Sequence, residues 1–367
     1  MPLADIVMSM GPAEARWWHT EGDRVGCDLC PHRCAMDDGE VGRCGARQNE
    51  GGRLISLTYG QVYVKNVDPI EKKPIFHYRP GTRVLSLGTF GCNLGCRFCQ
   101  NAVLAQPSGR ELPHQAMRPQ EVVDLAEREG VQGLAWTFNE PIMWSEFIID
   151  TARLARAKGI YTMINTNGYI LPGAAGELLD HVQVANIDVK GFTDDHYRKV
   201  CGGSLQEVLD TCALARSKGV HVEITCLLVP GLNDSEGEVT ALCRWLVDAL
   251  GPDTPLFFYR FHPSHQLTGL PEQSTEVMER AYTIARGEGA RYVYFGGAAG
   301  GERQDTLCPS CGFLAVERKS VRSTDKVCVK GQEISRFCPT FARVTAAIDA
   351  PRCPRCGTDI AVWLSGW

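Results

Sequence analysis

The stretch Leu154-Ala155-Arg156-Ala157-Lys158-Gly159-Ile160 recurs as Leu214-Ala215-Arg216-Ser217-Lys218-Gly219-Val220. Each copy closes a helix-like segment (142–158 and 205–218) on a glycine and then opens an apolar, strand-like run. Glycine there takes the left-handed conformation that ends a helix without steric penalty. A third helix-like segment begins at Pro119-Gln120-Glu121, with proline in the first turn, and stops before Gly130. Strand-like runs lie at 84–87, 133–137, 160–164, 182–187, 220–228, 256–259 and 292–295. Helices alternating with strands imply a parallel sheet joined by right-handed crossovers. The expected fold is α/β, a partial (β/α)6 barrel over residues 81–300, with chemistry at the C-terminal ends of its strands.

Seventeen cysteines without an export signal read as metal ligands in a reducing compartment, so a cytoplasmic protein is expected. A net charge of −5 argues against a broad nucleic-acid-binding surface. No run approaches eighteen apolar residues, so no membrane span is expected.

The first strand-like run leads into Gly91-Cys92-Asn93-Leu94-Gly95-Cys96-Arg97-Phe98-Cys99-Gln100-Asn101. Three thiolates in C-x3-C-x2-C spacing, on a backbone freed by Gly91 and Gly95, can wrap one metal centre. A structural zinc takes four protein ligands, and cubane iron–sulfur clusters usually take four cysteines. Three local cysteines therefore leave one iron open to a substrate or cofactor. A second set, Cys27, Cys30, Cys34 and Cys44, lies in a Cys-rich segment over 1–80 and suits either zinc or an auxiliary iron–sulfur cluster. A third set forms two C-P-x-C-G knuckles, Cys308 with Cys311 and Cys353 with Cys356. These read as a zinc-ribbon or rubredoxin-like module over 301–367, holding zinc or iron. The knuckles stand 41 residues apart, with Cys328 and Cys338 between them as further ligands or free thiols. Cys212, Cys226 and Cys243 sit on apolar faces and read as core. The charges of Glu71-Lys72-Lys73, between Pro69 and Pro74, read as a solvated loop.

The three-cysteine loop, with aromatic Phe98 before its last cysteine, resembles the signature of radical S-adenosylmethionine (SAM) enzymes. The resemblance implies a [4Fe–4S] cluster on Cys92, Cys96 and Cys99. It also implies SAM chelated at the open iron and reductive cleavage to a 5′-deoxyadenosyl radical that abstracts hydrogen. Three motifs together narrow it: C-x-L-C-P-x-x-C followed by G-x-C-G, D-P-I-E-K-K-P-x-x-H, and G-C-N-x-x-C-x-F-C-Q-N. They resemble the radical SAM enzyme of the AmmeMemoRadiSam system, similar to pyruvate formate-lyase activating enzymes, from Cys27 to the C-terminus.

That family implies a SAM pocket assembled after successive strands. Thr137, Asn139 and Glu140 stand where the relatives carry Gly-Gly-Glu-Pro, and a carboxylate suits the SAM ammonium there. Asn165, Thr166 and Asn167 match Asp-Thr-Asn-Gly, with Asn165 in place of the aspartate. Asp188 and Lys190 match Asp-x-Lys, with Lys190 a candidate partner for the SAM carboxylate. The loop 229–234 falls near the adenosine, and His262 and Phe98 complete the cofactor set. Cys201 in Y-x-K-x-C-G-G reads as a buried inert thiol, or else a hydrogen donor or auxiliary ligand. Implied partners are a reductant such as flavodoxin or ferredoxin and Memo-like and AMMECR1-like proteins. One other reading is an activase for a glycyl-radical enzyme. A further one, of another class, is a metal-responsive or nucleic-acid-binding scaffold.

Overall fold

The computed structural model describes residues 12–296, 302–329 and 332–364. Its centre is an eight-stranded sheet. The strands in chain order are β1 (Val64–Pro69), β2 (Arg83–Gly88), β3 (Gly133–Trp136), β4 (Tyr161–Thr166), β5 (Val184–Asp188), β6 (His221–Leu228), β7 (Leu256–Arg260) and β8 (Val293–Gly296). From β2 to β8 every neighbour pair is parallel and sequential. Six strand–helix units followed by a seventh parallel strand give the α/β half-barrel expected from the sequence. β1 adds an antiparallel edge by pairing Val64 with Gly88 through Pro69 with Arg83. The sheet thus reaches back into the segment assigned to 1–80.

The helices that return the chain include Pro119–Arg128, Ser145–Ala157, Gln206–Ser217 and Thr275–Gly287. The two echo glycines take φ of +70° (Gly159) and +76° (Gly219), ending their helices as the repeat requires. Leu87, Leu134, Trp136, Ile164, Ala185 and Ile187 pack toward this helical layer. The other face of the sheet holds a smaller cluster, in which Ile70, Ile75 and Tyr78 meet Val84, Ala135, Met163 and Val184. Strands covered on both faces read as continuous apolar runs, and this made them visible in the sequence.

The segment Asp68-Pro69-Ile70-Glu71-Lys72-Lys73-Pro74-Ile75-Phe76-His77 crosses that second face, and here the expectation of a solvated loop fails. Asp68, Glu71 and Lys73 are 5%, 1% and 4% exposed. Burial is tolerated because each charge is answered. Lys72 and Lys73 both pair with Asp68, at 3.1 and 2.8 Å, and the Gly81 amide donates to Glu71 (2.7 Å). The backbone of the segment is satisfied by strand side chains. Asn165 donates to the Lys73 carbonyl (3.0 Å), Asn186 donates to the Pro74 carbonyl (2.9 Å), and Glu223 accepts from the Phe76 and His77 amides.

The same segment fastens the C-terminal module. Arg318, fully buried, donates to the Phe76 carbonyl (2.6 Å). His77 donates from Nδ1 to the Ala361 carbonyl (2.7 Å) and accepts at Nε2 from Tyr294 (2.6 Å); burial pushes its pKa down to about 4. Trp363 bridges in parallel to Tyr78, and its carbonyl accepts from the Arg79 amide (2.7 Å). The 41-residue gap between the knuckles is filled mainly by a long hairpin, β9 (Leu314–Val329) with β10 (Gln332–Ala346). Its register sets Cys328 opposite Glu333 and Cys338 opposite Ser323, so the two are not cross-strand partners. Ser365, Gly366 and Trp367 lie outside the described residues.

Candidate active site

The cysteine loop leaves the C-terminal end of β2, and its turn depends on glycine. Gly91 has φ +86°, and a Cβ there would stand 2.7 Å from the Cys44 carbonyl oxygen. Asn139 staples the loop from the end of β3. Its side-chain oxygen accepts from the Thr89 amide (3.0 Å), and its amide nitrogen donates to the Phe90 and Gly91 carbonyls (3.1 and 3.0 Å). The neighbouring Phe138 takes φ +76°, a region that favours glycine. A side chain in that region costs about 1–2 kcal/mol; packing of the ring beneath the Lys73 ammonium, 4.7 Å from its centroid, offsets part of it.

Glu140 is buried and joins three elements. Its carboxylate accepts from the Ile142 amide (3.1 Å), the Thr166 hydroxyl (2.6 Å) and the Asn167 amide (2.8 Å). Burial outweighs these bonds and pushes its pKa up to about 7. Asn167 carries the connection onward, donating from Nδ2 to Asn93 Oδ1 (2.8 Å) and toward the Cys92 sulfur (3.7 Å). One residue, through its backbone amide and its side chain, thus links the carboxylate turn to the thiol loop. Asn93 belongs to the motif but was given no role in the sequence; the bonds it makes are all long-range.

Beyond β5, Lys190 pairs with Asp188 at 2.9 Å. Burial opposes the Lys190 charge, but Asp188 and Cys96 hold its pKa well above the usual value. Cys201 is buried, and its thiol bonds to Cys96, which holds Cys96 below the usual thiol range and Cys201 above it. The Gly95 and Arg97 amides donate to the Cys201 and Val200 carbonyls (2.8 and 3.0 Å), so this turn lies along the cysteine loop. Phe98 is buried with its ring 6.3 Å from that of His196. His262, just after β7, pairs with Glu272 (3.0 Å), and its loop reaches the cysteine loop where the Gln266 amide donates to the Arg97 carbonyl (3.0 Å). Thr137 lies at the end of β3, with its amide on the Leu87 carbonyl (2.9 Å).

Thiol chemistry and an adjacent buried carboxylate are the donor set that a site-differentiated cluster and its amino-acid-bearing ligand require. Thr89 Oγ1 on the loop after β2 and Asn165 Oδ1 on β4 are buried without hydrogen-bond partners. Polar atoms left so are the ones a bound polar ligand satisfies. The residues present therefore fit the cluster and SAM.

The C-terminal knuckles converge more tightly. All four ligand sulfurs lie within 4.8 Å of one another, with Cys308 and Cys356, and Cys311 and Cys353, each 3.6 Å apart. Gly312 and Gly357, at φ +69° and +75°, donate back to the Cys308 and Cys353 carbonyls. Among the described residues no other group of three or more potential ligands converges in this way.

The site is thus a three-cysteine loop at the C-terminal end of the first parallel strand of an α/β half-barrel. Residues 86–243 match the radical SAM superfamily. The chain is 42% identical over 298 residues to an uncharacterized protein of Methanocaldococcus jannaschii, covering 81% of this chain and 89% of that protein. It is 30% identical over 157 residues to the pyruvate formate-lyase-activating enzyme of Clostridium pasteurianum, covering 42% of this chain and 65% of that one. With the pyruvate formate-lyase 1-activating enzyme of Escherichia coli K12 the identity is 24% over 231 residues, 59% of this chain and 93% of the relative. Among the described residues no helix is long and apolar enough to cross a membrane.

Proposed function

We propose that Cys92, Cys96 and Cys99 hold a [4Fe–4S] cluster and that Glu140 anchors the ammonium of SAM beside it. Bound there, the cluster supplies the electron for reductive cleavage of SAM, which initiates hydrogen abstraction from a substrate. The observation that carries this reading is Asn167, whose backbone amide holds Glu140 while its side chain reaches the Cys92 loop. Asn139 fixes the loop, Thr166 orients the carboxylate, and the Asp188–Lys190 pair sets the charge beside Cys96. Anaerobic protein given a strong reductant should release 5′-deoxyadenosine from SAM; absence of that product from iron-loaded protein would overturn the proposal.

Glu140 predicts a pH dependence. An ammonium ligand needs the carboxylate form, and with a pKa near 7 that form is lost as the pH falls. SAM affinity should therefore drop by roughly tenfold per unit below about pH 7, and Glu140→Gln should flatten the profile. In the unliganded protein the raised pKa acts the other way on stability. The unfolded chain releases this proton near pH 4.5 and the folded chain only near 7, so Glu140 destabilises progressively as pH rises between them. Equilibrium binding and urea unfolding across about pH 5 to 8 separate the two effects.

The converged knuckles suit one tetrahedral zinc. Cys311→Ser should lower zinc by about one per chain and leave iron unchanged, as read by elemental analysis.

The relatives' names support a second reading, in which the substrate is another protein that receives a radical. The motifs over 27–101 support placing the chain with the AmmeMemoRadiSam radical SAM enzymes, with Memo-like and AMMECR1-like proteins as partners and flavodoxin or ferredoxin as reductant. Co-purification, or a change in SAM turnover on mixing, would support such partners; neither occurring would remove them.

A further inference from the structure

The four N-terminal cysteines are brought together by short hairpins. Trp18–Glu21 pairs with Arg24–Cys27, and Arg47–Glu50 pairs with Arg53–Ser56. The Cys27 amide donates to the Cys34 carbonyl (2.9 Å), closing the first knuckle. Cys27, Cys30, Cys34 and Cys44 wall one space of about 330 Å³, part of it open to solvent. Two further lining residues matter. Arg47 is 1% exposed, and its Nε–H has no hydrogen-bond partner although its terminal nitrogens bond Glu146 at 2.5 and 2.9 Å. Asn93, the other, belongs to the loop between Cys92 and Cys96.

The chemistry of this set differs from that of the C-terminal one. Around a single zinc, with Zn–S near 2.3 Å, four sulfurs stand about 3.8 Å apart, as the C-terminal sulfurs nearly do. The N-terminal sulfurs share a cavity without converging to such distances, and so do not form a single-ion group. Thiolates attached to separate irons of a cubane stand farther apart than thiolates on one ion. The orphaned Arg47 Nε–H belongs to a side chain that lines the same space as the four cysteines, and a guanidinium N–H is a donor for an anionic metal–sulfur centre.

The space also abuts the catalytic loop. His32, in the first knuckle, donates to the Asn93 carbonyl (2.7 Å), and the Cys44 carbonyl lies against Gly91. We propose that Cys27, Cys30, Cys34 and Cys44 hold a second iron–sulfur cluster, which passes electrons to the one on Cys92, Cys96 and Cys99. A low-potential one-electron protein donor is oxidised by one electron as the N-terminal cluster is reduced. The same electron then leaves for the catalytic cluster, and no covalent bond is made or broken in the relay. The relay rests on the radical SAM reading; the metal site does not.

The test compares two variants of the full chain, purified anaerobically. With Cys92, Cys96 and Cys99 all replaced by alanine, about four irons and four sulfides per chain should remain, with an electron paramagnetic resonance signal after reduction. The paired substitution Cys30→Ala with Cys34→Ser should remove a like amount and keep the iron of the catalytic loop. Zinc retained by the C-terminal knuckles and an unchanged circular dichroism spectrum verify folding in both. Iron-free protein from the first variant, with zinc in the N-terminal set, would overturn the second cluster whether or not the wild type cleaves SAM. In fully reduced wild type the two signals should be broadened by spin coupling that either variant abolishes. Uncoupled, additive signals would overturn the relay.

Discussion

Cys96→Ala should remove about four irons per chain and abolish reductive cleavage of SAM, whereas Cys201→Ala should keep the iron. The two thiols touch, yet their positions differ in kind. Cys96 sits on the loop with Cys92 and Cys99, and the Lys190 charge and a bond from Cys201 favour its thiolate form, the form that binds metal. Cys201 lies on a separate turn, holds its proton, and supports the loop mainly through its carbonyl on the Gly95 amide. Its replacement should therefore alter the cluster's reduction potential, through the lost hydrogen bond to a ligand sulfur, without emptying the site. Iron analysis with a 5′-deoxyadenosine assay reads the first variant, and potentiometry the second. Full iron and SAM cleavage in Cys96→Ala would refute the ligand assignment.

Arg47→Met should destabilise the protein by about 3–5 kcal/mol. Arg47 and Glu146 form a two-pronged ion pair with side chains 1% and 4% exposed, joining the N-terminal hairpins to the helix Ser145–Ala157. Removing one partner leaves a buried charge with little to answer it; for Glu146 only the Arg16 amide (2.9 Å) remains close. Replacing both by apolar residues of similar volume should recover most of the loss, because the desolvation of both charges is then avoided. Urea unfolding of the single and double variants measures this. Additive losses in the double variant would show that packing, not charge, holds the joint.

What was legible in the sequence follows from locality. The parallel strands announce themselves because both faces are covered, and the echo glycines because a helix end needs a backbone that glycine provides. The cysteine sets are visible because their spacings are short. β1 was not legible: Val-Lys-Asn-Val-Asp-Pro carries a half-exposed edge pattern with little apolar signal. The charges at 68–73 misled for a different reason. Their burial depends on Arg318 and on strand side chains such as Asn165, far along the chain, and no window of local sequence contains those partners. Asn139 is expected from the motif to assist Glu140 at the cofactor; that its amide also holds the Phe90 and Gly91 carbonyls is a role that only the folded loop reveals.

The tie between His77 and Ala361 spans 284 residues, and that between Arg79 and Trp363 closes beside it. The segment on the second face of the sheet can therefore reach its final bonding only after residue 363 has emerged from the ribosome. Until then His77 Nδ1 and the Arg79 amide lack these partners. Maturation of this protein has a built-in order, in which a late segment locks one translated 284 residues earlier.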